Sequence, residues 1–101
     1  MPGEITKYHV VDFGTQKAAV AGAAALMAHI ASPRGLRHMT GPRRAVIFGH
    51  RSDESEFTQA RLYLSDGALE AAREIRLTFK LIETLAAADL PESTQLLHGQ
   101  V

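Results

Sequence analysis

Residues 4–13, EITKYHVVDF, alternate so that Ile5, Val11 and Phe13 share one face and Tyr8 and Val10 the other. That period of two, with β-branched and aromatic side chains, predicts a strand. After Gly14 the spacing changes. Val20, Ala23, Ala24, Met27, Ile30 and Ala31 recur at helical intervals, Thr15 offers an N-cap, and Ser32-Pro33 closes the pattern, so a helix is predicted over about 15–31. Its alanines and Gly22 leave a thin side-chain layer that permits close packing.

RAVIFGH at 44–50 is a short apolar run, the appearance of a buried strand, and FTQARLYL at 57–64 alternates, with Ala60, Leu62 and Leu64 opposite Phe57, Gln59, Arg61 and Tyr63. The two are expected to pair as a hairpin. Beyond the turn signal SDG at 65–67, Ala68, Ala72, Ile75, Phe79, Ile82 and Ala86 are spaced alternately four and three apart, with Leu69, Leu81 and Leu85 widening the stripe. This predicts a second helix reaching Asp89, before Pro91. STQLLHGQV is read as a mobile tail or a short closing strand.

The order is β-α-β-β-α with an optional C-terminal strand: an α+β two-layer sandwich, ferredoxin-like if the tail pairs, with residues 1–90 as one domain and 91–101 as its tail. One sheet face is left uncovered in that arrangement, so self-association as a homodimer is expected. The expected core comprises Val11, Phe13, Val20, Met27, Ile30, Val46, Ile47, Phe48, Leu62, Leu64, Ile75, Phe79 and Ile82.

A length of 101 residues suits one domain, and 46% apolar with 22% charged residues is ordinary globular composition. There is no cysteine, which removes disulfides, thiolate metal sites and cysteine nucleophiles and fits a reducing cytoplasm. The longest apolar run, 18–28, is too short to span a bilayer, so a soluble, cytoplasmic protein without membrane contact is expected. Charge changes the picture more. The formal net charge is zero, yet residues 13–52 carry no acid and six cations, Lys17, Arg34, Arg37, Arg43, Arg44 and Arg51, whereas 53–101 carry nine acids against four bases.

Signatures of chemistry are sparse. FGTQKAAVAG matches neither dinucleotide-binding nor Walker patterns, no nucleophile elbow is present, and the serines fall at turns and caps. His9, His29, His38, His50 and His98 show no spacing that places two ligands on one helix turn or strand face. No catalytic residue, cofactor or metal site is therefore assigned. His50 with Asp53, Glu54 and Glu56 could meet at a hairpin tip, and His9 with His50 could serve a small dimeric α+β barrel enzyme or ligand-binding protein. Tyr8, Phe57 and Tyr63 would suit an RNA-binding aromatic platform, but the glycine–aromatic alternation of that motif is missing from 57–64.

SPRGLRHMTGPRR, 32–44, stands out as a long connection with four arginines and no acid. Arginine grips phosphate and carboxylate bidentately, so Arg34, Arg37, His38, Arg43, Arg44 and Arg51 are the expected partner-binding residues. The expected function is a small non-enzymatic interaction module, an inhibitor or adaptor of the kind that includes phage-encoded antagonists of host defence, binding an acidic protein surface or a phosphate-bearing partner. Nucleic-acid binding is the alternative, weakened by a net charge of zero, and the dimeric barrel is the third.

Overall fold

The opening alternation produces β1 (Lys7–Asp12), and Phe13 N–H extends its pairing by donating to the Ala60 carbonyl at 2.9 Å. A computed structural model describes residues 7–39, 47–51 and 57–98. Gly14 N–H donates to Asp12 Oδ1 at 2.7 Å in the turn that follows, and Thr15 Oγ1 caps α1 (Gln16–Ala31) by accepting from Ala18 N–H at 3.0 Å. A short 3-10 turn, Gly35–Met39, folds back under the end of α1. β2 (Ile47–Arg51) and β3 (Phe57–Leu64) pair antiparallel, as the hairpin reading expects. Ser65 then caps α2 (Asp66–Glu74), with Asp66 in the first turn, where the positive end of the helix dipole favours it.

The long second helix is not formed. α2 stops at Glu74, and the rest of the predicted stripe becomes an extended stretch leading into β4 (Lys80–Ala86). Arg76 adopts φ 60°, its N–H donates to the Arg73 carbonyl at 3.0 Å, and Leu77 N–H donates to the Ala72 carbonyl at 3.1 Å. This is the paired hydrogen-bond pattern of a Schellman C-cap with a left-handed residue just past the helix end. Once the chain has turned there, Leu77, Phe79 and Leu81 alternate with Thr78 and Lys80 as a strand entry does. β4 pairs antiparallel with β1, and a register shift opposite Val10/Val11 leaves Ile82 unpaired, a β-bulge.

After a second 3-10 turn, Ala87–Asp89, the C-terminal segment forms β5 (Thr94–His98) beside β2. The result is a small α+β domain with one five-stranded antiparallel sheet, ordered β4-β1-β3-β2-β5. The tail thus forms a strand, the fifth, at the β2 edge, while residues 80–86, expected to be helical, form the strand beside β1.

Both helices lie on one sheet face. Val11, Leu62 and Leu64 pack there with Ala23, Leu26 and Ile30 of α1 and Ala68, Leu69, Ala71 and Ala72 of α2. Phe13, Met27, Ile75 and Phe79 are partly buried against this core, and Phe13 and Phe79 meet as tilted rings with centroids 5.9 Å apart. A Cβ on Gly22 would lie 2.6 Å from the Phe13 ring, so α1 needs glycine at that point. Two expected core residues are outside it: Val20 is 41% exposed on the outer side of α1, and Ile82 is 36% exposed at the bulge of an edge strand. Val46 and the side chains of Ile47 and Phe48 lie outside the described residues.

The second sheet face is not bare. Tyr8, Val10 and Tyr63 are buried within the single chain, with Leu85 and Leu90 packed against them, and burial raises the pKa of both phenols. An uncovered face at these residues was the reason for expecting a homodimer, and that reason does not apply to them. The helix stop gives a direct test. Arg76→Gly removes the cost of a side chain in the left-handed region, partly offset by a more flexible unfolded chain, and is expected to stabilise the fold by about 0.5–1 kcal/mol in denaturant unfolding. A loss of stability would contradict the C-cap assignment.

Candidate functional site

Among the described residues, His29, His38 and Glu74 are brought together from three separate segments. His29 sits in the last turn of α1. Ser32 follows it, its hydroxyl donating to the His29 carbonyl at 2.6 Å and accepting from Gly35 N–H at 3.2 Å. The turn at 35–39 can then lie directly on the helix end, because a Cβ at Gly35 would come within 2.0 Å of the His29 carbonyl oxygen. That close approach carries His38 next to His29. Glu74, the last residue of α2, points at both because the C-cap ends the helix there.

Its carboxylate is the hub. Oε1 accepts from His29 Nε2 at 2.6 Å and from His38 Nε2 at 3.3 Å, and Oε2 accepts from the Arg37 guanidinium. The His29, His38 and Glu74 side chains are largely buried, while Arg37 is 64% exposed and lies across the mouth of the cluster. The negative end of a helix dipole disfavours a carboxylate. Even so, the His29 hydrogen bond, helped against burial by the His38 hydrogen bond and the Arg37 charge, holds the Glu74 pKa down to about 2. Two imidazoles and a carboxylate facing one point can share a proton or hold a cation.

The expected partner-binding residues are divided by this arrangement. Arg34 is exposed in the turn after α1. Arg37 and His38 both engage Glu74, His38 buried and Arg37 still largely exposed. Arg43 and Arg44 lie outside the described residues, and Arg51 belongs to β2 with its side chain outside them. Two strand histidines, His9 and His50, have side-chain partners: His9 Nε2 lies 2.6 Å from Asp66 Oδ1 and its Nδ1 3.2 Å from Thr84 Oγ1, joining β1, α2 and β4, while His50 Nδ1 bonds the Ser93 hydroxyl. Asp53, Glu54 and Glu56 lie outside the described residues.

The outer side of α1 is the second feature. Val20, Ala21, Ala24, Ala25, Ala28 and Ala31 are all exposed, and no Asp, Glu, Lys or Arg occurs between Lys17 and Arg34. Two shallow grooves run along it, one bounded by Gln16, Lys17, Val20 and Ala21, the other by Phe13, Ala18, Gly22, Ala25 and Leu77 among others. Comparison with known proteins returns no match: no family model, curated protein or solved structure is similar to this chain.

Because the Glu74 pKa is depressed in the folded chain, its contribution to stability is present above the ordinary glutamate pKa near 4.3 and is lost as pH falls from there toward about 2. Thermal melts of the wild type and Glu74→Gln between pH 6 and pH 2 are expected to converge in acid, the wild type being the more stable at the upper end. A difference independent of pH would show that the carboxylate charge does not hold the helix ends together.

Proposed function

We propose that this chain is a small non-enzymatic interaction module, an inhibitor or adaptor, that seats the exposed face of α1 on an acidic protein surface. One observation carries the reading: from residue 20 to 31 the exposed residues of α1 are only Val20 and alanines, flanked by the exposed cations Lys17 and Arg34 within a span that contains no acid. A helix face meant only for solvent is normally charged. A contiguous exposed apolar face is a surface that protein partners cover. The flanking cations complement acidic groups at the edge of such a partner, steering its approach more than adding affinity. Small side chains let a partner helix or strand approach the α1 backbone closely.

This reading moves the expected contact surface. Arg34 stays in it, and Lys17 and the alanine face join it. Arg37 belongs at its edge, because its guanidinium already serves Glu74. An apolar centre favours protein over nucleic acid, whose phosphates reward a continuous basic track. On architecture, we read β1 to β4 as a ferredoxin-like unit extended by β5. Support for this comes from the β4-β1-β3-β2 order, in which each helix connects two strands separated by a third.

Affinity capture from a lysate of the source organism with the wild type, Val20→Glu/Ala25→Glu and Arg34→Glu tests the docking surface. All three positions are exposed, so stability is expected to change by no more than about 0.5 kcal/mol. The expected result is an acidic protein held by the wild type at low salt and lost from both variants. Identical capture by all three would remove α1 from the interface, and capture abolished by nuclease would replace the protein partner with nucleic acid.

A further inference from the structure

We propose that His29 Nε2, His38 Nε2 and Glu74 Oε1 form a binding site for one divalent transition-metal ion of the zinc type. Each of the three residues offers one donor atom, and these lie within 4.8 Å of one another. Around a tetrahedral ion with ligand bonds of about 2.0–2.1 Å, neighbouring donors stand about 3.3 Å apart. His38 Nε2 and Glu74 Oε1 are already at 3.3 Å. His29 Nε2 and Oε1, at 2.6 Å, are drawn together around a proton and need to part by about 0.7 Å to admit an ion in its place.

The chemistry of the donors selects the ion. Two imidazole nitrogens and one carboxylate oxygen suit zinc, cobalt or nickel, whereas calcium and magnesium ask for oxygen ligands throughout. Three protein ligands leave a fourth position for water. Each ligand comes from a different segment: α1, the 35–39 turn and the end of α2. One ion would therefore clamp the start of the basic connection to both helices at once. The site adjoins the docking face through Arg37 but does not depend on that face's role.

Arg37 is the competing cation. It pairs with Oε2, leaving Oε1 to the imidazoles. Its charge also opposes an incoming ion. With 64% of its side chain exposed, it can swing into solvent at little cost. Opposite consequences follow for the two roles the cluster could play. If Glu74 binds metal, removing the Arg37 charge tightens metal binding; if Glu74 serves only as a hydrogen-bond hub, removing Arg37 loosens the cluster and gains nothing for an ion.

Calorimetric titration of the chelator-treated full chain with zinc chloride is expected to show one ion per chain at micromolar or tighter affinity, and magnesium chloride no binding. His29→Gln and His38→Ala should each weaken zinc binding at least about tenfold. Arg37→Gln should strengthen it, and His50→Ala, outside the cluster, should leave it unaltered. Cobalt added to the unmodified chain reports on the site without any substitution, through the intense visible bands of a four-coordinate ion. No saturable zinc binding, weak octahedral-type cobalt bands, affinity lost equally in His50→Ala, or affinity lowered by Arg37→Gln would each overturn the assignment.

Discussion

The reversal of the chain at Ile75–Arg76 sets much of the rest of this structure. By closing α2 with two backbone hydrogen bonds it ends the helix at Glu74 and releases the following residues to run as β4. Had the helix continued, β1 would have been the edge of the sheet, and the Glu74 carboxylate would have been one side chain on a helix flank. Instead it stands at a helix terminus, directed at the end of α1. A left-handed backbone at an arginine costs on the order of 1 kcal/mol. The β1–β4 ladder, a complete α2 cap and the Glu74 hydrogen bonds together outweigh it.

A carboxylate placed at the C-terminal end of a helix is in an unfavourable field, and the C-terminal end of α1 nearby adds to it. The arrangement is stable because the groups brought to it are donors: His29 from the last turn of α1, His38 and Arg37 from the turn beyond. Cationic or donor side chains at helix C-termini are favourable on their own account, so each of the three serves two negative ends. Removing the carboxylate alone leaves three donors facing one another with nothing between them, which is costlier than losing an exposed ion pair.

The strands before residue 65 and the first helix are legible in the sequence because local pattern and burial agree there. Val11 and Leu62 face the helices, Tyr8 and Tyr63 face away, and Thr15 and Ser32 bound α1, all as the spacing requires. The segment after Glu74 was not legible, because two periods coincide in it. Ile75, Phe79, Ile82 and Ala86 sit at helical intervals, while Leu77, Phe79 and Leu81 alternate as a strand, and the bulge at Ile82 shifts the second pattern before it can declare itself. The β-branched and aromatic content of LTFKLIETL was the available signal. The metal-type cluster had none: His29 and His38 are nine positions apart and Glu74 a further 36, so only the packing of Gly35 on α1 and the stop of α2 bring them together.

These features meet in α1, whose two faces differ in what they do for the fold. Its inner side, Ala19, Gly22, Ala23, Leu26 and Ile30, is buried against the sheet, the other helix and Phe13. Its outer side carries alanines where charged residues would be cheaper to solvate. Alanine is the best helix former, so helix propensity alone would explain an alanine at any one exposed position, yet lysine or glutamate serve almost as well and keep the surface soluble. The absence of any such residue between Lys17 and Arg34 is therefore not required by the fold. Its C-terminal end is held by the Glu74 hydrogen bonds and by Ser32, and its N-terminal end by Thr15. That anchoring limits the conformational entropy that the proposed docking would cost.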